Sequence, residues 1–303
     1  MDPLVLRSQS LLTDSSLEPV SVIIPTYNRA EFLAGSISSV LNQEYQEFEL
    51  VVVDDGSIDT TTQLLAEFGD RLRIVTQQNL GASAARNAGI RAARYDLLAF
   101  LDSDDRFAPG KLVTQAAAMA EHPDALISHT DEVWFRNNQL LNQKKIHTRS
   151  GGDLFAKSLR ICVVGMSTVM VRRGLFDEVG IFDETLPCCE DYDLWLRVAC
   201  RFPFLLVAAP LTIKHGGRPD QLSRIHRVGM DRFRIRALKK ILDSDDLDPD
   251  QERLARIEFI RKCEIYGRGC MKHGRNVEGE HYLQLALGTE SRSSAASRLA
   301  GFE

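Results

Sequence analysis

The sequence predicts an α/β protein: a mostly parallel sheet flanked by helices, with a helical extension at its C-terminal end. Three observations predict it. From Val20 to Leu101, β-branched apolar runs alternate with helical stripes, and that alternation calls for crossover connections and parallel pairing. The runs are almost continuously apolar, as strands covered on both faces are. Beyond Ile225 only helical patterning remains.

In chain order, Val20 to Ile24 is a buried strand stopped by Pro25. Arg29 to Gln43 places Phe32, Leu33, Ile37, Val40 and Leu41 on one helical stripe. Phe48 to Val53 is a second strand, closed by Asp54-Asp55-Gly56-Ser57. Thr60 to Phe68 is a short helix, Arg71 to Thr76 a third strand, Gly81 to Arg94 an Ala-rich helix and Tyr95 to Leu101 a fourth strand. Pro109, tolerated in a first turn, opens a helix ending near Glu121. Asp124 to Asp131 reads as a strand, Trp134 to Lys145 as a hairpin around Asn137-Asn138, and Gly165 to Val171 as a strand. Arg173 to Val179 and Glu190 to Cys200 read as helices, and Phe204 to Ile213 as a strand. Helices then cover Ile225 to Leu242, Pro249 to Lys272 and Asn276 to Leu287. Asp243 to Asp250 is an acidic connector and Gly274 a helix stop. Leu254, Ile257, Ile260, Cys263, Tyr266 and Cys270 form a stripe that Tyr282, Leu285 and Ala286 are expected to face, as in a helical hairpin.

The 303 residues suit one large domain, or one domain with an appendage. A net charge of −5 argues against bulk nucleic-acid binding. None of the six cysteines forms a C-x-x-C pair, which speaks against a zinc ribbon. Cys188 and Cys189 are neighbours and bridge each other only with strain, so reduced thiols in a cytosolic protein are expected. Asp2, Asp14 and Glu18 break up the first residues, so no secretory signal is expected. No apolar stretch reaches the roughly 18 residues of a membrane span. Neither G-x-G-x-x-G after a strand nor a P-loop is present, which weakens a dinucleotide oxidoreductase or P-loop NTPase.

Ligands of open α/β sheets bind beyond the carboxyl ends of the strands. Pro25-Thr26-Tyr27-Asn28, Asp54-Asp55-Gly56-Ser57 and Asp102-Ser103-Asp104-Asp105 are therefore expected to line one crevice. Asp102 and Asp104 point the same way on an extended segment. They make half of a site for magnesium or manganese, which leave room for phosphate oxygens. An acidic loop capping the next helix accounts for the triplet equally well. Ser57 and Asp59 are natural caps and Gly56 allows a left-handed turn. Two adjacent carboxylates at a strand end remain unexplained by that, and a carboxylate there is placed to accept a ring N–H of uracil or guanine. Tyr27 either stacks on a base or covers the sheet edge. Arg86, in "NLGASAARNAG", is a charge partner for phosphate at a helix start, or the helix is simply built to pack closely. Glu190-Asp191 is a helix cap, or a carboxylate that takes a proton from an attacking hydroxyl. His215 caps a strand or completes a metal site.

Taken together, "VSVIIPTYNR", "ELVVVDDGSIDTT", "NLGASAARNAGI", "LLAFLDSDD" and "CCEDYDLWLRV" resemble, in order and spacing, the family 2 glycosyltransferases with their Rossmann-like GT-A fold. The resemblance covers Val20 to Ser223. It implies transfer of a sugar from a nucleoside diphosphate sugar, UDP-linked by expectation, with inversion and with Mn2+ or Mg2+ as cofactor. It implies that Tyr27, flanked by Pro25 and Thr26, lies on the base, that Asp55 binds the base, and that Arg86 lies near the nucleotide. Asp102, Ser103 and Asp104 match the D-x-D segment, with Asp102 nearer the ribose and Asp104 the direct metal ligand. Asp191 matches the catalytic base and Glu190 helps hold the acceptor. His215 matches a histidine placed near the metal, although its surroundings match only loosely. The acceptor implied is a saccharide or lipid-linked saccharide of polysaccharide biosynthesis, not nucleic acid.

The expected organisation is a flexible arm over 1–19, a catalytic domain over 20–223 with nucleotide-sugar (20–105) and acceptor (106–223) halves, a helical region over 224–288 and a frayed tail over 289–303. Between Lys214 and Lys240 nine Lys or Arg face two Asp, a net of +7. This stretch suits peripheral contact at the inner membrane face, an anionic acceptor or the donor diphosphate, or else a solvated face paired with Asp243 to Asp250. The C-terminal helices suit packing on the catalytic domain, a homodimer or a partner. Two other readings stay open. One is a nucleotidyltransferase acting on a sugar phosphate, which lacks its early Gly-rich loop here. The other is a binding protein that acts through its helical tail, against which the intact Asp55, Asp104 and Asp191 argue.

Overall fold

The computed structural model describes residues 5–6, 17–136, 139–141, 147–218 and 220–299. Most of the expected arm, the Asn137-Asn138 turn and residues 300–303 lie outside these. The strands are β1 (Val5–Leu6), β2 (Val20–Thr26), β3 (Phe48–Asp54), β4 (Arg73–Thr76), β5 (Leu97–Phe100), β6 (Arg106–Phe107), β7 (Ile127–Arg136), β8 (Gln139–Leu141), β9 (Val169–Arg172) and β10 (Leu205–Gly216). The helices are α1 (Ala30–Leu41), α2 (Thr61–Glu67), α3 (Ala82–Ala92), α4 (Lys111–Glu121), α5 (Phe155–Arg160), α6 (Gly174–Val179), α7 (Glu190–Ala199), α8 (Leu222–Ile225), α9 (Met230–Leu242), α10 (Pro249–Lys272) and α11 (Asn276–Leu299).

One sheet runs β1-β10-β7-β9-β5-β2-β3-β4, with β6 paired to β10 and β8 to β7. β5, β2, β3 and β4 are parallel. β9 is inserted antiparallel between β5 and β7, and β7 and β10 resume parallel pairing. The chain steps from β2 outward to β3 and β4, then returns through α3 to β5 on the other side of β2. Strand order therefore switches at β2, the place where open α/β sheets generally take their ligands.

Strand alternation explains why both faces are covered. Val20, Val22 and Ile24 join Leu33, Ile37 and Val40 of α1 in one core. Ile23 points the other way, to Ile90 of α3 and a second core with α5, α7, α9 and α10. β10 passes through Pro210 by register shifts, which is how a strand tolerates a residue without an N–H, and reaches Gly216 rather than stopping at Ile213.

Three helical expectations are corrected. The helix expected over Ile225 to Leu242 is divided, because Gly229 takes φ +94 between α8 and α9. The buried stripe of α10 runs through Ala255, Phe259, Cys263, Tyr266 and Cys270, while Ile257 is 54% exposed because it sits off that stripe. Tyr266 packs edge-on to Tyr282 at 4.7 Å, so α10 and α11 do form a hairpin. α11 also runs past Leu287 to Leu299, since neither Pro nor Gly follows Gly288 within it.

Candidate active site

Tyr27 follows β2 and is 40% exposed, while Thr26 and Pro25 are buried in the strand. The ends of β2 and β3 are laced together. The Asn28 amide donates to Ser57 Oγ (2.9 Å), and Asn28 Oδ1 accepts from the Ile58 amide (2.8 Å). Ser57 is therefore no helix cap: its hydroxyl serves Asn28, while Asp59 Oδ1 accepts the Thr61 amide (2.9 Å) at the start of α2. Asn28 adopts φ +50, a conformation that Asn tolerates better than most residues.

Asp55 is buried and holds the loop into α3. Its Oδ1 accepts from Gln77 Nε2 (2.7 Å) and the Leu80 amide (2.9 Å), and its Oδ2 accepts from the Gly81 amide (2.8 Å). Gly56 is needed beside it, because at φ +76 a Cβ would stand 2.9 Å from the Asn79 nitrogen.

From α3, Arg86 reaches across the sheet end. It donates to Asp102 Oδ1 (2.7 Å) and to Glu190 Oε1 (2.6 Å). Burial works against its charge, but the two carboxylates hold the guanidinium above its usual range. Asp102 is raised by burial, and the charges of Arg86 and Lys214 more than offset this, so it lies below the usual carboxylate range. Glu190 goes the other way: burial outweighs Arg86, and the neighbouring Asp191 adds to the rise. Asp191 accepts the Tyr192 amide at Oδ1 (2.7 Å) and the Cys162 thiol at Oδ2 (3.1 Å).

The acidic loop after β5 is anchored at both ends. β6 pairs with β10 through Phe107 and Thr212, and Ser36 Oγ lies 2.9 Å from the Ser103 carbonyl and 2.7 Å from that of Asp105. Asp105 is more than the start of a turn. It accepts from Ser167 Oγ (2.6 Å), faces Lys214 Nζ at 3.6 Å, and is pushed by burial up to about 7. Ser103 is buried, with its backbone rather than its hydroxyl tied to Ser36.

Asp104 lines a cleft of about 330 Å3 with Phe32, Arg106, Phe135, His215 and Arg218. The Arg218 guanidinium donates to Asp104 Oδ2, stacks 4.0 Å above the Phe32 ring and pairs with Asp220 (3.4 Å). His215 stacks on Phe135 (5.8 Å between centroids), and burial, with Arg106 nearby, lowers its pKa. Among the described residues no group of three His, Cys, Asp or Glu side chains stands ready to hold a metal. The donor set still fits magnesium or manganese, which take few protein oxygens when phosphates supply the rest. Asp104 already attracts a cation in Arg218, and Asp102 spends Oδ1 on Arg86.

Sequence reasoning missed Arg218, Ser167 and Cys162. Arg218 was counted only as part of the basic stretch, and Ser167 and Cys162 sit in apolar surroundings with no motif to mark them.

The model of the family described as "Glycosyl transferase family 2" matches residues 21–180, more than half of the chain. The chain belongs to glycosyl transferase family 2. The Escherichia coli UDP-Glc:alpha-D-GlcNAc-diphosphoundecaprenol beta-1,3-glucosyltransferase WfgD is a 34% identical relative, over 59% of this chain and 69% of its own. The putative teichuronic acid biosynthesis glycosyltransferase TuaG of Bacillus subtilis is 33% identical, over 59% of this chain and 71% of its own. A Rickettsia bellii relative, named an uncharacterized glycosyltransferase, is 35% identical over 60% of this chain, but the match spans 26% of that relative's length. For the Rickettsia prowazekii relative the span is 58%. The fold is similar to that of S. aureus TarS 1–349 in complex with UDP-GlcNAc, with a TM-score of 0.70 at 20% identity over 89% of this chain and 80% of that one. It is also similar to the mannosyltransferase PcManGT from Pyrobaculum calidifontis in complex with GDP-Man and Mn2+, with a TM-score of 0.62 at 16% identity over 96% and 82%. The neighbours share the GT-A architecture, with its mostly parallel sheet flanked by helices.

Proposed function

We propose that this chain transfers a sugar from a UDP-sugar to an acceptor hydroxyl with inversion, assisted by a divalent cation. The observation that carries the reading is the Arg86 clamp. One guanidinium joins Asp102, at the nucleotide side, to Glu190, the neighbour of Asp191. The carboxylate read as serving the donor and the neighbour of the one read as serving the acceptor are thus held close together by one side chain.

Each residue then has a task. Tyr27 offers its exposed ring to the base. Asp55 shapes the loop beside it and accepts from the base. Asp102 lies toward the ribose, and Asp104, with His215 in the same cleft, would hold the cation in place of the Arg218 guanidinium. When bound, that cation supplies Lewis-acid neutralisation of the departing diphosphate. Asp191 takes the proton of the acceptor hydroxyl on the face opposite the leaving group, and Glu190 helps hold the acceptor. Inversion follows from that opposition.

The named activity of WfgD and the UDP-GlcNAc bound to TarS support a uridine donor, and the diphosphoundecaprenol in the WfgD name supports a lipid-linked acceptor. No helix among the described residues is long and apolar enough to cross a membrane. Peripheral contact at the inner membrane face is read from Leu222, Ile225 and Val228, exposed beside Arg224 and Arg227. Residues 20–223 are read as the catalytic unit and 224–288 as its helical support.

A thermal-shift comparison of UDP, GDP and their sugars, with and without Mn2+, tests class, base and metal together. UDP with Mn2+ is expected to stabilise most, and the absence of any nucleotide effect would overturn the reading. Asp191→Asn is expected to retain UDP binding and lose transfer; normal transfer by that variant would move the base elsewhere.

A further inference from the structure

We propose that Cys162 is a positioning residue for Asp191: its thiol donates to Asp191 Oδ2 and sets the direction in which that carboxylate faces. This rests on Asp191 being the base. The two oxygens of Asp191 are held differently. Oδ1 takes the Tyr192 amide at 2.7 Å, within its own helix. Among the described residues Oδ2 takes a thiol at 3.1 Å, a weak donor that fixes orientation and leaves a lone pair for an incoming proton.

The segment carrying Cys162 is clamped on both sides by α7, the helix that begins with Glu190 and Asp191. Tyr192 Oη donates to the Leu159 carbonyl (2.6 Å), and Trp195 Nε1 donates to the Val164 carbonyl (2.9 Å). The distance between Cys162 and Asp191 is thereby set from two directions. The sulfur also lies 3.4 Å from the Val164 carbonyl, but that oxygen already has the indole, and the carboxylate is closer and charged. Burial, together with the Asp191 charge, pushes the Cys162 thiol well above its usual value, so at neutral pH it keeps the proton that a donor needs. Cys188 and Cys189 do not compete for this place. Their sulfurs face each other at 4.0 Å.

The test compares Cys162→Val, Cys162→Ala and Cys162→Ser with Asp191→Asn, measuring kcat and donor KM and, by calorimetry, UDP affinity. Valine fills the space without donating, and serine keeps a donor. Cys162→Val and Cys162→Ala are expected to lose about tenfold in kcat, the low end for one hydrogen bond to a charged group because a thiol donates weakly, with donor KM and UDP affinity unchanged. Cys162→Ser is expected to recover most of the loss. Wild-type kcat in Cys162→Val, with Asp191→Asn inactive, would overturn the proposal while leaving the base in place. So would a serine variant as slow as the valine one with intact UDP affinity. Activity in Asp191→Asn would instead remove the base assignment, and the proposal with it.

Discussion

Replacing Arg86 by alanine takes one cation away from two carboxylates. In the native chain its side chain is 6% exposed and makes two charge-assisted bonds, at 2.7 Å to Asp102 and 2.6 Å to Glu190. Breaking a buried pair by removing one partner costs about 3–5 kcal/mol. The lower end applies here for two reasons. Glu190 is already raised by burial and readily takes up a proton once Arg86 is gone. Arg86 Nε is also buried without a hydrogen-bond partner among the described residues, so its removal relieves one desolvated group. The expectation is a loss of about 3 kcal/mol at pH 7.5, shrinking toward pH 5.5 as Glu190 is neutralised in the variant. Urea unfolding at both pH values measures it. Arg86→Lys should fall between the two, because a single ammonium does not match a two-carboxylate fork. An alanine variant within about 1 kcal/mol of the parent at both pH values would refute the reasoning, since the clamp would then contribute no net stability.

Three further outcomes are expected. Tyr27→Ala should weaken UDP binding by about 1–3 kcal/mol in calorimetry with little change in unfolding, since the ring is exposed. Asp104→Ala should abolish the extra thermal shift that Mn2+ gives in the presence of UDP; a persistent Mn2+ effect would place the metal elsewhere. His129 is fully buried, and burial with the Arg149 charge depresses it to about 3 from 6.5. As pH falls below 6.5 the unfolded chain takes up a proton that the folded chain refuses, so stability is lost, by about 2 kcal/mol at pH 5. His129→Gln should flatten that part of the urea midpoint–pH curve, and an unchanged slope would clear His129 of the effect.

The strands and helices from β2 to β5 were legible because strands buried on both faces, such as Val20 to Ile24, are written as unbroken apolar runs. That Tyr27, Asp55 and Asp102 follow neighbouring strand ends was legible because β2, β3 and β5 run parallel. Direction was not: periodicity is the same for a strand running either way, so the antiparallel β9 could not be read from Val169–Arg172. Hydrogen-bond partners were equally silent. Ser57 has the chemistry of a cap but is taken by Asn28, a residue 29 positions away in sequence. Ile257 looked like core at helical spacing, yet the stripe that packs passes one step to its side. Cys162 carries no local signal, because its significance lies in where α7 brings Asp191.

The anchoring of the acidic loop has a thermodynamic consequence. Held by β5 before it, by β6 after it, and by Ser36 and Ser167 beneath it, the loop loses its freedom when the chain folds rather than when a ligand arrives. If the loop binds the donor as proposed, the entropy that a mobile loop would surrender on binding is absent from the affinity. Weakening this support at Ser36 or Ser167, both buried, should appear as poorer UDP affinity with a larger entropic penalty, a signature readable by calorimetry.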